Sequence, residues 1–570
     1  KILLPGIFLM VFLCLNNCVE KHSPPLPAKV DFNFDVKPIL VQKCYLCHGP
    51  DSSGRKGGLR LDTFEGATAT LKEGGSAIIP GHPGDSKLIF RINSDDPELV
   101  MPPPDTKLSL TEREIAVLTK WIKQGADWKP HWAFIPPKNP LPDRSTENNK
   151  IDFFLDKAIL KNGLRVAREA DKNSLIRRVS YVLTGLPPTT QELERYLSDN
   201  DPDAYEKMVD QYLNSPRYGE KWARHWMDVV RYAETRGHEF DFPILGAWRY
   251  RDYLIRAFNT DLPYDQLVRE QLAGDLLEVP RRNAKSGQNE SQLGTIFYSL
   301  YEGKHSPVDI RQDEADRIDN MIDVTSKAFQ GLTVSCARCH DHKFDPITAA
   351  DYYALFGVME STRFTPVPAE RTLKDEENIE EVKKIENYIR KLVAGKWNGI
   401  SGKSDVRPML SAKNSTPSVK PDSIRVLGDF RNADLNGWKS DGIAFGRRTT
   451  LGNPVFNSQR KIIRLADGRA SSRSVSAGVF GALRSPNFTI TDNFIGVRAV
   501  GKKSSIRIII DNFQLISYPI YQGMDQKVDH EGLHNYLFDV RQWKGHKAYI
   551  EVLTGTYNNH VYSLSSDAYI

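Results

Sequence analysis

Residues 44–50 read Cys-Tyr-Leu-Cys-His-Gly-Pro, and residues 336–342 read Cys-Ala-Arg-Cys-His-Asp-His. Both contain C-x-x-C-H, the attachment signature of a c-type haem. The chemistry sets the spacing. Two thiols must reach the two vinyl groups along one edge of the porphyrin, and the next side chain must swing beneath the ring to bring its imidazole to the iron. Random placement of 6 Cys and 13 His along 570 positions would give on the order of 0.001 such motifs. Two copies therefore imply two covalent haems c, one held by Cys44, Cys47 and His48, the other by Cys336, Cys339 and His340. Zinc fits less well, because paired CxxC units in zinc ribbons lie roughly 15–20 residues apart. A thioredoxin-like redox pair needs a βαβ frame around the motif, and none is read here.

The rest of the cysteine usage is consistent with this. The chain has 6 cysteines, and the remaining two, Cys14 and Cys18, sit in the N-terminal leader. No cysteine is left for a disulfide framework, which an exported chain would otherwise favour. The leader, residues 1–18, has a Lys before an apolar run from Ile2 to Leu15. That run is short for a bilayer span and matches a signal-peptide core. Cys18 follows Leu15-Asn16-Asn17, a loose lipoprotein cleavage site, and a Ser/Pro-rich tether comes next. The expectation is an exported, periplasmic or cell-surface protein, membrane-associated through a lipid anchor on Cys18. The net charge is +5, from 77 basic and 72 acidic residues, and the basic residues are not gathered on one domain, so nucleic acid is not an expected partner.

Residues 31–136 read as a small haem domain. Gly-rich turns follow His48, then come Met101-Pro-Pro-Pro and a helical stretch, LTEREIAVLTKWIKQGADW. A second axial ligand has to come from a loop on the other face of the ring. Met101, stiffened by the following prolines, is the candidate, with His82 in the PGHPGD turn as its rival. His/Met ligation raises the reduction potential.

Residues 150–365 read as mainly helical and carry the second motif. IDFFLDKAILKNG ends on a helix-stop Asn-Gly. SLIRRVSYVLTGLPPTTQELERYL reads as helix, break, helix. Residues 219–236 read as one long helix, and ADRIDNMIDVTSKAFQ leads by a helix towards Cys336. Residues 224–241 collect His225, Asp228, Arg231, Glu234, His238, Glu239 and Asp241, with Arg249 and Arg251 close behind. Arginine beside aromatic rings suits haem propionates; a solvated, salt-bridged helix face is the plainer reading. For the second iron, His342 follows His340 too closely to reach the opposite face of the ring, which leaves it to orient a propionate or a water. His225 is the first candidate there, followed by His238, His305, Met321 and Met359.

Residues 372–423 read as a charged helix (372–395) and a Ser/Lys/Pro/Asn-rich linker (396–423). From 424 to 570, short alternating runs (FGALRSPNFTI, NFIGVRAV, SSIRIIIDNFQLI, HKAYIEVLTG) read as a jelly-roll-like all-β sandwich. Trp438, Tyr521 and Trp543 are candidate sugar-stacking platforms there, with core or rim packing as the plainer reading of each. The chain stops in SSDAYI, inside what reads as a strand, so a further domain is expected beyond it.

Residues 31–135, through CYLCHGP, KGGLRLDT, PGHPGDSKL, MPPP, LTEREIAVLTKWIKQGA and HWAFIPP, resemble the planctomycete-type cytochrome c domain. Residues 151–360, through SLIRRVSYVLTGLPPT, SPRYGEKWARHWMDVVRYAET, WRYRDYLIRAFN, QLAGDLL and CARCHDHKFDPI, resemble the domain of unknown function that follows it in the same multidomain proteins. The resemblance implies exported bacterial proteins with c haems, from organisms rich in polysaccharide-degrading and sulfatase enzymes. It implies no reaction for the middle domain. Three functions stay open: electron transfer to an unidentified redox partner, linked to polysaccharide degradation; a haem-dependent, peroxidase-like oxidoreductase with an open second iron; and glycan binding at the cell surface. No nucleophile elbow or zincin motif indicates a hydrolase.

Overall fold

The structure, a computed structural model, describes residues 25–570 except 139–149, 238–240, 242, 245, 305–306, 366–372, 402–423, 474–478, 480, 515–520, 522, 559–560, 564–566 and 570. The chain divides into two compact units: Lys1–Val166 with Val334–Ala354, and Ala167–Thr333 with Leu355–Ile570. The sequence reading places Cys336 in the 150–365 domain, whereas in space its segment groups with the N-terminal unit.

The first unit is helical: α1 (Lys37–Lys43), α2 (Tyr45–His48), α3 (Phe64–Thr68), α4 (Lys87–Ile92), α5 (Glu112–Lys123) and α6 (Lys150–Lys161). α5 begins with a capping box, in which the Thr111 hydroxyl accepts from the Glu114 N–H at 3.2 Å and Glu114 accepts from the Thr111 N–H at 2.7 Å. Its buried residues are Val117, Leu118, Trp121 and Ile122, one helix face at helical spacing. That face packs in a core with Val36, Leu40, Tyr45, Leu61 and Ile78. Phe32 lies 4.3 Å from Trp128, ring centre to ring centre, and Trp121 lies 5.6 Å from Trp128. The haem-motif helix α2 is therefore braced by this aromatic core through Tyr45.

The second unit begins with α7 (Lys172–Thr184), α8 (Thr190–Ser198), α9 (Ala204–Leu213), α10 (Pro216–Val229), α11 (Ala247–Asn259), α12 (Tyr264–Ala273) and α13 (Ile310–Gln330). The break between α7 and α8 is where the sequence puts it, at Gly185 with φ 75°. The helix read over 219–236 is shorter and earlier. Ser215 caps it, Pro216 opens it, and it ends at Val229, with Arg231 at φ 54°. α10 and α11 touch closely at Gly219, where a Cβ would stand 2.4 Å from the Ile255 carbonyl oxygen. α14 (Ala349–Glu360) follows the second motif, and α15 runs Leu373–Ser401. Residues 396–401, read as linker, thus continue the charged helix.

The C-terminal region is all-β, as its alternation implies. Its main sheet is antiparallel and seven-stranded, ordered β1 (Lys439–Gly442), β4 (Gly481–Arg484), β8 (Lys547–Leu553), β6 (Phe494–Ile510), β11 (Asp567–Tyr569), with β5 (Phe488–Thr489) on β8 and β7 (Asp525–Asp539) on β6. Two two-stranded sheets accompany it: β2 (Pro454–Phe456) with β3 (Ile462–Leu465), and β9 (Thr556–Asn558) with β10 (Val561–Ser563). The two runs NFIGVRAV and SSIRIII form a single strand, β6, whose register shifts near Gly501 instead of breaking. One face carries Val497, Ile506, Ile508, Ile550 and Val552 in the core. On the other, Glu551 takes Arg484 at 2.7 Å and Arg507 at 3.1 Å, all three buried. Of the candidate sugar platforms, Trp438 and Tyr521 are core residues, and Trp543 stacks on Tyr521 at 4.5 Å.

Candidate functional site

The first motif is one helical turn. The N–H groups of Cys47 and His48 both donate to the Cys44 carbonyl, at 3.1 and 2.9 Å. Residues three and four apart on a helix share a face, so Cys44, Cys47 and His48 point to one side. The turn is tied down at its exit: the Cys47 carbonyl accepts from the Lys56 N–H and the His48 carbonyl from the Leu61 N–H, both at 2.8 Å. Arg55 reaches back to the Pro50 carbonyl at 2.7 Å. A Cβ on Gly49 would stand 2.4 Å from the Tyr45 carbonyl oxygen, which is why the residue after the histidine is glycine.

The environment fits a covalently held haem. Cys44 packs against the core, and burial, then Cys47 and Glu114, pushes its thiol up to about 12. Burial also lowers the His48 pKa, against the nearby backbone of Lys56 and Leu59, and a neutral imidazole is what iron requires. The His48 Nδ1 is buried and closes no hydrogen bond. All four described cysteines are free.

The second motif is built differently. A 3₁₀ turn spans Val334–Arg338, and Cys336, Cys339 and His340 are all exposed. The His340 Nδ1 lies 2.8 Å from the Asp341 carbonyl oxygen. A carbonyl can only accept, so Nδ1 carries the proton and Nε2 keeps its lone pair for a metal. His342 is buried, and its Nδ1 accepts from the N–H groups of Phe344 and Asp345 at 3.1 and 2.8 Å. Its work is to form the turn that carries Asp345. The Asp345 carboxylate in turn meets His131 Nε2 at 3.0 Å, with both side chains largely buried. His131 Nδ1 accepts from the Ala133 N–H at 3.2 Å, so Nε2–H is the donor to Asp345.

The other candidate ligands are scattered. The Met101 N–H donates to the Arg91 carbonyl at 3.0 Å, pinning its loop to the end of α4, with the side chain half-buried. His82 is exposed and lies 3.8 Å from Asp85. His225 lies in the second unit, exposed on α10, with its ring 5.3 Å from that of Trp222. On the same helix end, Arg224, Met227, Asp228, Arg231 and Tyr232 line a cavity of about 400 Å³. Met321 is buried and Arg317 points at its sulfur at 3.1 Å; Met359 is buried on α14. His238 and His305 lie outside the described residues. Among the described residues no three His, Cys, Asp or Glu converge as a metal cage; a haem brings four nitrogens of its own and asks the chain for one or two axial groups.

Sequence reasoning missed His131 and Asp345. It also missed a buried pair in the second unit: Glu270, fully buried, takes Arg281 at 2.8 Å and the Ser291 hydroxyl at 3.0 Å. Burial pushes the Glu270 carboxyl up, but Arg281 outweighs it and the pKa falls. His131 sits in HWAFIPP, Asp345 in CARCHDHKFDPI and Glu270 just before QLAGDLL. Those stretches mark a family likeness and carry no local chemistry that singles the three residues out.

No curated protein and no solved structure matches the chain. Residues 150–364 match the family described as Protein of unknown function (DUF1549). Residues 44–105, which hold the first haem motif and Met101, match the family described as Planctomycete cytochrome C. Over residues 44–105 the chain is thus similar to planctomycete cytochrome C domains, a family that implies covalent haem c, and over residues 150–364 to the DUF1549 domain.

Proposed function

We propose that the protein is an exported dihaem c-type cytochrome that transfers electrons to a partner protein. The observation that carries this reading is the pair of C-x-x-C-H turns with free cysteines, one with a half-buried imidazole whose Nδ1 atom is buried and the other with its Nδ1 proton committed to a carbonyl. A haem bound at either turn supplies a one-electron iron couple. Cys44 and Cys47 would hold the first group, with His48 and Met101 as its iron ligands. Cys336, Cys339 and His340 would hold the other. The leader and Cys18 support export and a lipid anchor, which would place the haems in the periplasm or at the cell surface, in reach of polysaccharide-degrading enzymes. No helix among the described residues is long and apolar enough to cross a membrane.

A second reading, a haem-dependent oxidoreductase with an open second iron, is favoured by the exposure of Cys336, Cys339 and His340. Electron paramagnetic resonance of the matured full chain separates the two. Low-spin signals from both irons support electron transfer alone, and a high-spin signal that Cys336→Ala with Cys339→Ala abolishes supports the open site.

A further inference from the structure

A cluster of positive charge, remote from both haem motifs in the sequence, lies at the end of α10. The chain leaves the helix at Val230, and Arg231 takes φ 54°, a left-handed conformation that a non-glycine residue keeps only where its surroundings hold it there. Its guanidinium is tied on two of three nitrogens. Nε donates to the Asn320 side-chain oxygen at 2.6 Å, and Nη1 donates to the carbonyls of Phe297 and Val230 at 2.9 and 3.3 Å. All of these acceptors are neutral. Nη2 is buried and closes no hydrogen bond.

Neighbouring charge does not compensate. Arg236 adds a like charge, and its own Nε is buried without a partner. Asp323 acts on Arg231 more weakly than Arg236 does, and it takes Lys327 at 2.7 Å. Burial lowers the Arg231 pKa to about 10, which leaves a cation at neutral pH. A buried cation without a counter-charge is costly, and an anion beside it removes that cost. Arg231 also lines the cavity of about 400 Å³ at this helix end, together with Arg224, Met227, Asp228 and Tyr232. Small-ligand sites have volumes of roughly 300–1,000 Å³. Arg224 is exposed and pairs with no carboxylate among the described residues.

We propose that this cavity binds a small ligand through an oxyanion, a carboxylate, sulfate or phosphate group, taken by Arg231 and Arg224. Guanidinium donors match the paired oxygens of such groups. The bonds that already hold Arg231 leave it little side-chain freedom to lose on binding. Asp228, on the same lining, repels a bare anion.

The test is titration calorimetry of the matured full chain at fixed ionic strength, with sulfate, inorganic phosphate and acetate as probes and chloride as the reference. Saturable binding of at least one oxyanion, absent with chloride, is expected. Binding of acetate alone marks a carboxylate ligand, and binding of sulfate or phosphate marks an ester of that acid. Arg224→Ala, a change at an exposed side chain, should weaken binding by about fivefold or more. Asp228→Asn removes a like charge and should strengthen it by about twofold. Arg231→Lys keeps the charge without the fork and should abolish binding; if that variant does not fold, the two surface variants decide. No saturable binding of any of the three probes, or an affinity that Arg224→Ala and Asp228→Asn both leave unchanged, overturns the proposal.

Discussion

The two C-x-x-C-H segments carry the same five-residue chemistry in opposite settings. The first is a full helical turn whose Tyr45 and Cys44 belong to an aromatic core. The second is an exposed 3₁₀ turn, held by its own hydrogen bonds and by Asp345 on His131. The first, half-buried motif is braced by the surrounding fold, and the exposed one by a few polar contacts. The first setting leaves Cys44, Cys47 and His48 partly covered, and the second leaves Cys336, Cys339 and His340 open to solvent.

The largest effect that would break this comparison is on haem content. Cys44→Ala with Cys47→Ala should remove one covalent haem and Cys336→Ala with Cys339→Ala the other, read from the spectrum of each purified chain; equal haem content in wild type and either variant would erase the distinction. Next comes stability. Trp121→Ala opens the core behind the first motif and should destabilise the first unit by about 3–5 kcal/mol, whereas Asp345→Asn should cost about 1–3 kcal/mol. Denaturant unfolding of the two variants checks the order, and a reversal would mean that the second segment, not the core, is the main support.

The His131–Asp345 contact also has a pH signature. Burial, then Lys37, lowers the pKa of His131 in the fold below its ordinary 6.5, with Asp345 opposing them, so the unfolded chain binds the proton more readily. Its contribution is full above about 6.5 and is lost as pH falls through that value towards the lowered one. Unfolding midpoints measured down from pH 7.5 to 5 should show this loss in wild type and less of it in His131→Gln; an identical slope would remove His131 from the account. The smallest expected effect is that of Tyr353→Phe. It deletes a 3.1 Å bond to the Arg338 carbonyl from an exposed side chain, and should change stability by no more than about 0.5 kcal/mol.

Some of this is legible in the chain and some is not, for physical reasons. Cys44, Cys47, His48, Cys336, Cys339 and His340 can be read directly because covalent attachment fixes their spacing. The helices over Lys172–Thr184, Thr190–Ser198 and Glu112–Lys123 can be read because caps and apolar periodicity are local. The end of α10 at Val229 is hidden: the pattern continues past it, while the chain leaves the helix at Val230 and takes a positive φ at Arg231. The grouping of 334–354 with the N-terminal unit cannot be read at all. One contact that goes with it is His131 meeting Asp345 at 3.0 Å, two ordinary residues remote from each other in the chain, and no period or motif encodes such a pairing. The choice between platform and core for Trp438 and Tyr521 needs the structure for a related reason, since an aromatic residue in a strand pattern looks the same whether it faces core or solvent.

The central claim is that both motifs carry covalent haem. Its most direct test is the intact mass of the full chain after expression with c-type maturation, denatured so that only covalently bound groups remain. The account predicts the polypeptide mass plus two haems. A mass equal to the polypeptide alone, or to the polypeptide plus one haem, would contradict it.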